Sequence, residues 1–151
     1  LALTDGRIDV IGTDHAPHLL SEKQGGCRTA ASGMPVLPYS LPAMLELTDN
    51  GILKMTDVVR LMCHNPAQIF SIKERGYIRQ GYKADLTLVS RTDQGYTVTD
   101  ADVPGKCGWT PFDGENFHWK VCATWVNGHA AYCNGEFDTS IKGQPVKFNR
   151  L

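Results

Sequence analysis

The chain has 151 residues, 15 Lys and Arg against 16 Asp and Glu, 42% hydrophobic and 21% charged, a globular composition that excludes disorder and collagen-like structure. A net charge of -1 without a basic run argues against nucleic acid or an anionic membrane as partner, since both need clustered Lys and Arg. No apolar stretch approaches the ~20 residues of a membrane-spanning helix and no signal peptide is evident, so a small-molecule partner and a cytoplasmic location are expected.

Arg7-Ile8-Asp9-Val10-Ile11-Gly12-Thr13 is rich in apolar and β-branched residues and predicts a strand buried on both faces, as in a parallel sheet. Such a strand needs a neighbour on each side. The few residues before it supply none, and the expectation is the back part of a longer chain. Pro17 to Pro35 has no periodicity and predicts a long loop, usually functional or mobile at that length. Leu41, Met44, Leu45 and Leu47 follow at helical spacing, stopped by Asp49-Asn50-Gly51. Thr56-Asp57 is the expected cap of a second helix carrying Val58, Val59, Leu61 and Met62. Asn65-Pro66-Ala67-Gln68 reads as the start of a third, with Asn65 at the N-cap, Pro66 first in the helix and Gln68 reaching back. Its buried side is expected to be Ile69, Phe70 and Ile72.

From Gly76 the texture becomes glycine-punctuated β-structure, which divides the chain into 1–75 and 76–151. Residues 84–89 and 121–126 read as strands, the second followed by Asn127-Gly128 and His129-Ala130-Ala131-Tyr132-Cys133. Asn-Gly between two such runs signals a hairpin, because both central residues of its turn need positive φ; Asn134-Gly135 repeats the signal. The five cysteines, Cys27, Cys63, Cys107, Cys122 and Cys133, show no C-x-x-C spacing and read as reduced, packing thiols. Trp109, Trp119 and Trp125 read as core and interface bulk.

The chemistry concentrates in Thr13-Asp14-His15-Ala16-Pro17-His18, where the predicted strand gives way to the long loop. In α/β barrels catalytic groups come from the carboxyl ends of strands. Strand alternation puts Asp14 on the face of Val10 and Gly12 and His15 on the other, so His15 is expected to support or pack. Taken alone, Asp-His-x-x-His fits a surface turn as well as an active site.

The whole run from Ile8 to His18, with Glu22-Lys23 after it, resembles strand eight and its loop in the dihydroorotases, cyclic amidohydrolases with a (β/α)8 barrel. Ala31-Ser32-Gly33, His64-Asn65-Pro66-Ala67, Gly76-Tyr77-Ile78-Arg79-Gln80-Gly81-Tyr82-Lys83-Ala84-Asp85-Leu86 and Thr110-Pro111-Phe112-Asp113-Gly114 match further family segments in order. The resemblance implies an α/β fold: the last barrel strand, its loop and the closing helices in 1–75, and part of a small β-sandwich in 76–151. It implies that Asp14 is both catalytic and a metal ligand, moving a proton beside a zinc pair, because an amide nitrogen leaves poorly unless protonated. It implies that His18 binds the substrate's ring carboxylate, with Ser32 and Gly33 contacting the substrate through their backbone. Relatives acting on rings without a carboxylate usually carry an aromatic residue where His18 stands.

Two features depart from the family. Val36-Leu37-Pro38 replaces the frequent Gly-Leu-Glu, and the family's His-x-His pair, carboxylated lysine and two further metal-binding histidines find no counterpart in the chain. Asp14 alone cannot hold a binuclear zinc site. The resemblance therefore implies the carboxyl-terminal portion of a dihydroorotase, inactive by itself and dimeric by family analogy. The alternatives are a cyclic amidohydrolase for allantoin, hydantoin or dihydropyrimidine rings, and a catalytically dead homologue that serves as scaffold for aspartate transcarbamoylase.

Overall fold

The computed structural model describes residues 2–140 and 142–149. Helix α1 (Ser40–Asp49) ends as its Asp-Asn-Gly signal predicts, with Gly51 at φ +67° reversing the chain. Leu45 of α1 is buried with Leu53 and Val58, and Trp119 and Val89 pack onto that cluster.

Helices α2 (Met55–Val59) and α3 (Asn65–Ile69) are joined without a break by a π-helical turn, Arg60–His64. Both predicted helix starts are corrected. Asp57, rather than Thr56, caps the first turn, its Oδ2 accepting the Lys54 N–H at 3.1 Å. Asn65 is fully helical, and its N–H donates to the Arg60 carbonyl. Its Nδ2 reaches the Asp9 carbonyl at 2.6 Å, while Gln68 donates to the Tyr77 hydroxyl instead of bonding back to the helix start. Pro66 has no N–H to offer the Met62 carbonyl, and the wider turn just before it absorbs the missing bond. The expected buried side is corrected as well. Ile69 and Phe70 are 54% and 58% exposed, whereas Ala67 faces inward, where Gly76 packs so closely on it and on the Cys63 carbonyl that the glycine has no room for a Cβ.

The predicted strand at residues 7–13 forms no ladder, and Ile8 and Asp9 are exposed rather than buried. A parallel strand is made by its neighbours, and no parallel strand stands beside this one among the described residues. What holds it are the Ile8 N–H on the Ala2 carbonyl (3.2 Å), the Ile11 N–H on the Leu61 carbonyl (3.1 Å) and the Asn65 amide on Asp9.

The second half is a four-stranded antiparallel sheet in the order β1 (Leu86–Thr97), β2 (Asn116–Val126), β3 (His129–Cys133), β4 (Glu136–Phe137). Both Asn-Gly turns form as predicted, with Asn127 and Gly128 at φ +53° and +83° and Asn134 and Gly135 at +48° and +97°. The β1–β2 register skips between Arg91, opposite Trp119, and Tyr96, opposite Phe117. Beside this irregularity the N–H groups of both His118 and Trp119 donate to Glu46 Oε1 on α1, the latter at 3.0 Å, and His118 Nδ1 lies 3.1 Å from Glu46 Oε2. Next to it Tyr39, Val98 and Phe117 form a second core, with Phe112 packed on it.

Burial alone would raise the Glu46 carboxyl, but the hydrogen bonds from His118 and Trp119 outweigh it and hold the group below its ordinary 4.5. A depressed carboxyl stabilises the fold above that value and stops doing so as pH falls through its folded pKa. Glu46→Ala, which leaves two strand N–H groups without an acceptor, is expected to cost about 2–4 kcal/mol in urea unfolding at pH 7. The stability gap between the parent chain and Glu46→Gln is expected to narrow steadily below pH 4.5; a gap independent of pH would assign the carboxylate no such role.

Candidate functional site

Asp14 sits at φ +44°, a left-handed conformation that Asp and Asn adopt more readily than other residues with a Cβ. The kink ends strand-like alternation there, so the facing of Asp14 and His15 is set by the loop instead. His15 bridges Met34 through its backbone, and its Nδ1 accepts the Leu37 N–H at 3.1 Å, which gives it a supporting place. Asp14 is exposed, and among the described residues its carboxylate takes no hydrogen bond or ion pair.

The loop then folds back on itself. Gly33, at φ +96°, lies so close to Ala16 that an added Cβ would stand 2.4 Å from the Ala16 Cβ, so glycine is required by both conformation and space. Ser32 beside it is exposed. Lys23 Nζ donates to the carbonyls of Ala31 and Gly33, the second at 2.9 Å. Glu22 Oε2 accepts the Leu19 N–H at 2.7 Å and stands 3.6 Å from His18 Nδ1. Glu22 and Lys23 are internal fasteners of the loop.

One residue of the sheet half joins them. Trp109 donates from Nε1 to the His18 carbonyl at 2.8 Å, and the Lys23 ammonium lies 6.0 Å from its ring centroid. The segment carrying Trp109 is itself pinned: Asp100 Oδ1 accepts the Thr110 N–H at 2.8 Å, and Asp113 Oδ1 accepts the Asp100 N–H at 2.9 Å. Phe112 meets Tyr39 and Phe117 edge-on. Residues 110–114 therefore hold a loop in place. From sequence Trp109 reads as bulk, and its position just before this motif is the one signal of another role.

The fold thus closes one loop base around His15, Ala16, Gly33 and Met34, with Asp14, His18 and Ser32 beside it along the chain. Asp14 suits one metal-ligand position, being an exposed carboxylate with no other engagement. Among the described residues the single grouping of metal-capable side chains is Glu46, Asp49 and His118, which does not include Asp14. Glu46 is committed to the β2 backbone, and Asp49 to Arg91 at 2.7 Å, which holds the Asp49 carboxyl low.

The model of the amidohydrolase family matches residues 1–131. The chain belongs to that family. Membership places this amidohydrolase chain in a TIM-barrel superfamily. It is 40% identical to a dihydroorotase of Halobacterium salinarum over 112 residues, 74% of the chain and 26% of that protein. It is 35% identical to a dihydroorotase of Methanothermobacter thermautotrophicus over 130 residues, 86% of the chain and 30% of that protein. Among solved structures it resembles the L-hydantoinase (dihydropyrimidinase) of Arthrobacter aurescens with a TM-score of 0.85 and 29% identity, over 96% of the chain and 33% of that structure. A D-hydantoinase structure shares the fold at a TM-score of 0.82 and 20% identity. The chain thus spans a quarter to a third of the length of these relatives. No helix among the described residues is long and apolar enough to cross a membrane.

Gly33→Ala is expected to detach the loop at a cost of about 1–3 kcal/mol, since a side chain at positive φ is strained even where space is found. Limited trypsin digestion reads this as faster cleavage after Lys23 and Arg28. Adding Ala16→Gly should recover the steric part alone, and unchanged cleavage in Gly33→Ala would disprove the fastening.

Proposed function

We propose that the protein containing this chain is a metal-dependent hydrolase of cyclic amides, and specifically a dihydroorotase that interconverts dihydroorotate and N-carbamoyl-aspartate in pyrimidine synthesis. The observation that carries the choice of substrate is His18, a donor side chain held on the fastened loop near Asp14, in a chain 35–40% identical to two dihydroorotases. In this reading residues 1–75 end the barrel and 76–151 form part of a small β-sandwich.

Zinc, when bound, would supply Lewis acidity and a more acidic nucleophilic water; Asp14 would be one ligand, and the other ligands would come from residues beyond these 151. Each remaining step belongs to the chain's own side chains. The Asp14 carboxylate takes the proton of the attacking water as the new C–O bond forms, and hands it to the ring nitrogen as the C–N bond breaks. Its exposed position leaves it free for both transfers. An imidazole N–H of His18 donates to the substrate's ring carboxylate, a charge-assisted contact that fixes the ring's orientation. The backbone at Ser32 and Gly33 lines the same substrate, and Lys23 keeps that backbone from drifting.

A second reading, a hydantoin or dihydropyrimidine hydrolase, is favoured by the likeness to the Arthrobacter aurescens enzyme. One assay separates the two. In the full-length protein, turnover of dihydroorotate is expected to exceed that of dihydrouracil. Asp14→Asn is expected to lower kcat at least about a hundredfold, as loss of an acid–base group does, and His18→Phe to raise KM for dihydroorotate. Preference for dihydrouracil, or a His18→Phe variant with unchanged KM, would move the assignment to the second reading. The 151-residue chain alone is expected to turn over neither substrate, because one carboxylate does not make a zinc site.

A further inference from the structure

We infer that Trp109 is a positioning residue for His18, so that the sheet half of the chain helps set which substrate the loop accepts. The inference rests on the proposed role of His18 as the carboxylate-binding group. Two contacts of different kinds converge on the one indole. Its Nε1–H donates to the His18 carbonyl at 2.8 Å, fixing the backbone at the residue whose imidazole would meet the substrate. Its ring lies under the Lys23 ammonium at 6.0 Å, within the range of a cation–π attraction. Lys23 in turn holds the carbonyls of Ala31 and Gly33. The indole therefore touches the His18 arm of the loop directly and the Ser32–Gly33 arm through one lysine, which makes it the point where both substrate-facing arms are referred to the same rigid body.

The body is rigid for reasons independent of the loop. Thr110, next to Trp109, is 4% exposed, its N–H is bonded to Asp100, and Phe112 is locked among Tyr39 and Phe117. His18 has little else to place it. Its N–H bonds only to the Ala16 carbonyl within the same turn, its Glu22 contact is long at 3.6 Å, and its side chain is 39% exposed. Without the indole N–H, the His18 backbone has no tie to any element outside its own loop among the described residues.

Trp109→Phe keeps an aromatic ring and removes only the donor. In the full-length protein it is expected to raise KM for dihydroorotate about threefold to tenfold, as loss of one hydrogen bond allows, with kcat within about twofold, because Asp14 is not touched. In the His18→Phe background the same change is expected to leave KM where His18→Phe alone puts it, a non-additivity that a general loss of stability would not produce. Amide exchange across Leu19–Gly33 should quicken in Trp109→Phe while the melting temperature stays constant. Equal KM penalties with and without His18, or an unchanged KM with unchanged exchange, would overturn the inference. If His18→Phe itself leaves KM unchanged while Trp109→Phe still quickens exchange, the tether stands and the carboxylate-binding role of His18 is what fails.

Discussion

The Glu46 carboxylate is the polar tie between the two halves of this chain, set between the Leu45 and Tyr39 cores to which both halves contribute. It sits on α1, which begins soon after the loop ends, and it accepts the N–H groups of His118 and Trp119 beside the irregular stretch of β1. A strand with a skipped register leaves donors that must find an acceptor. Here the acceptor comes from a helix, so satisfying the sheet also fixes the helix against it. The distance between the loop base and the segment carrying Trp109 follows from that docking. The tie from Trp109 to the His18 carbonyl spans that junction.

The parts of the fold legible in the sequence are those written in local chemistry. Asn127-Gly128 and Asn134-Gly135 announce their turns because positive φ is a property of the residue. The stop of α1 at Asp49-Asn50-Gly51 has the same origin. Residues 7–13 show the opposite case: β-branched composition predicts a strand, but a strand exists only where another lies alongside, and composition cannot report the neighbour. Asn65 and Pro66 have the local signature of a helix start, yet the turn before them continues as a π-helix and turns both into interior residues. Ile69 and Phe70 read as a buried face, and the helix instead buries the small Ala67 against Gly76.

For the candidate site, the division falls between the groups that would react and the groups that hold them. Asp14, His18, Ser32 and Gly33 stand out through a short motif and its resemblance to a family. Lys23 and Trp109 do not, because their importance lies in contacts across 10 and 91 positions of the chain, and neither residue type is chemically unusual. The Thr110-Pro111-Phe112-Asp113-Gly114 motif bridges the two classes. It is recognisable in the sequence, and the structure gives it the work of anchoring Trp109.

The segment from Ile8 to Thr13 also has a bearing on handling. Among the described residues, the N–H groups of Val10, Gly12 and Thr13 have no acceptor, in a segment rich in β-branched side chains. Open backbone donors on such a background are a template for another chain's backbone. For the 151-residue chain by itself this surface offers copies a ladder to complete, so strand addition is the form that self-association would take, whereas in the barrel proposed above neighbouring strands would complete that ladder.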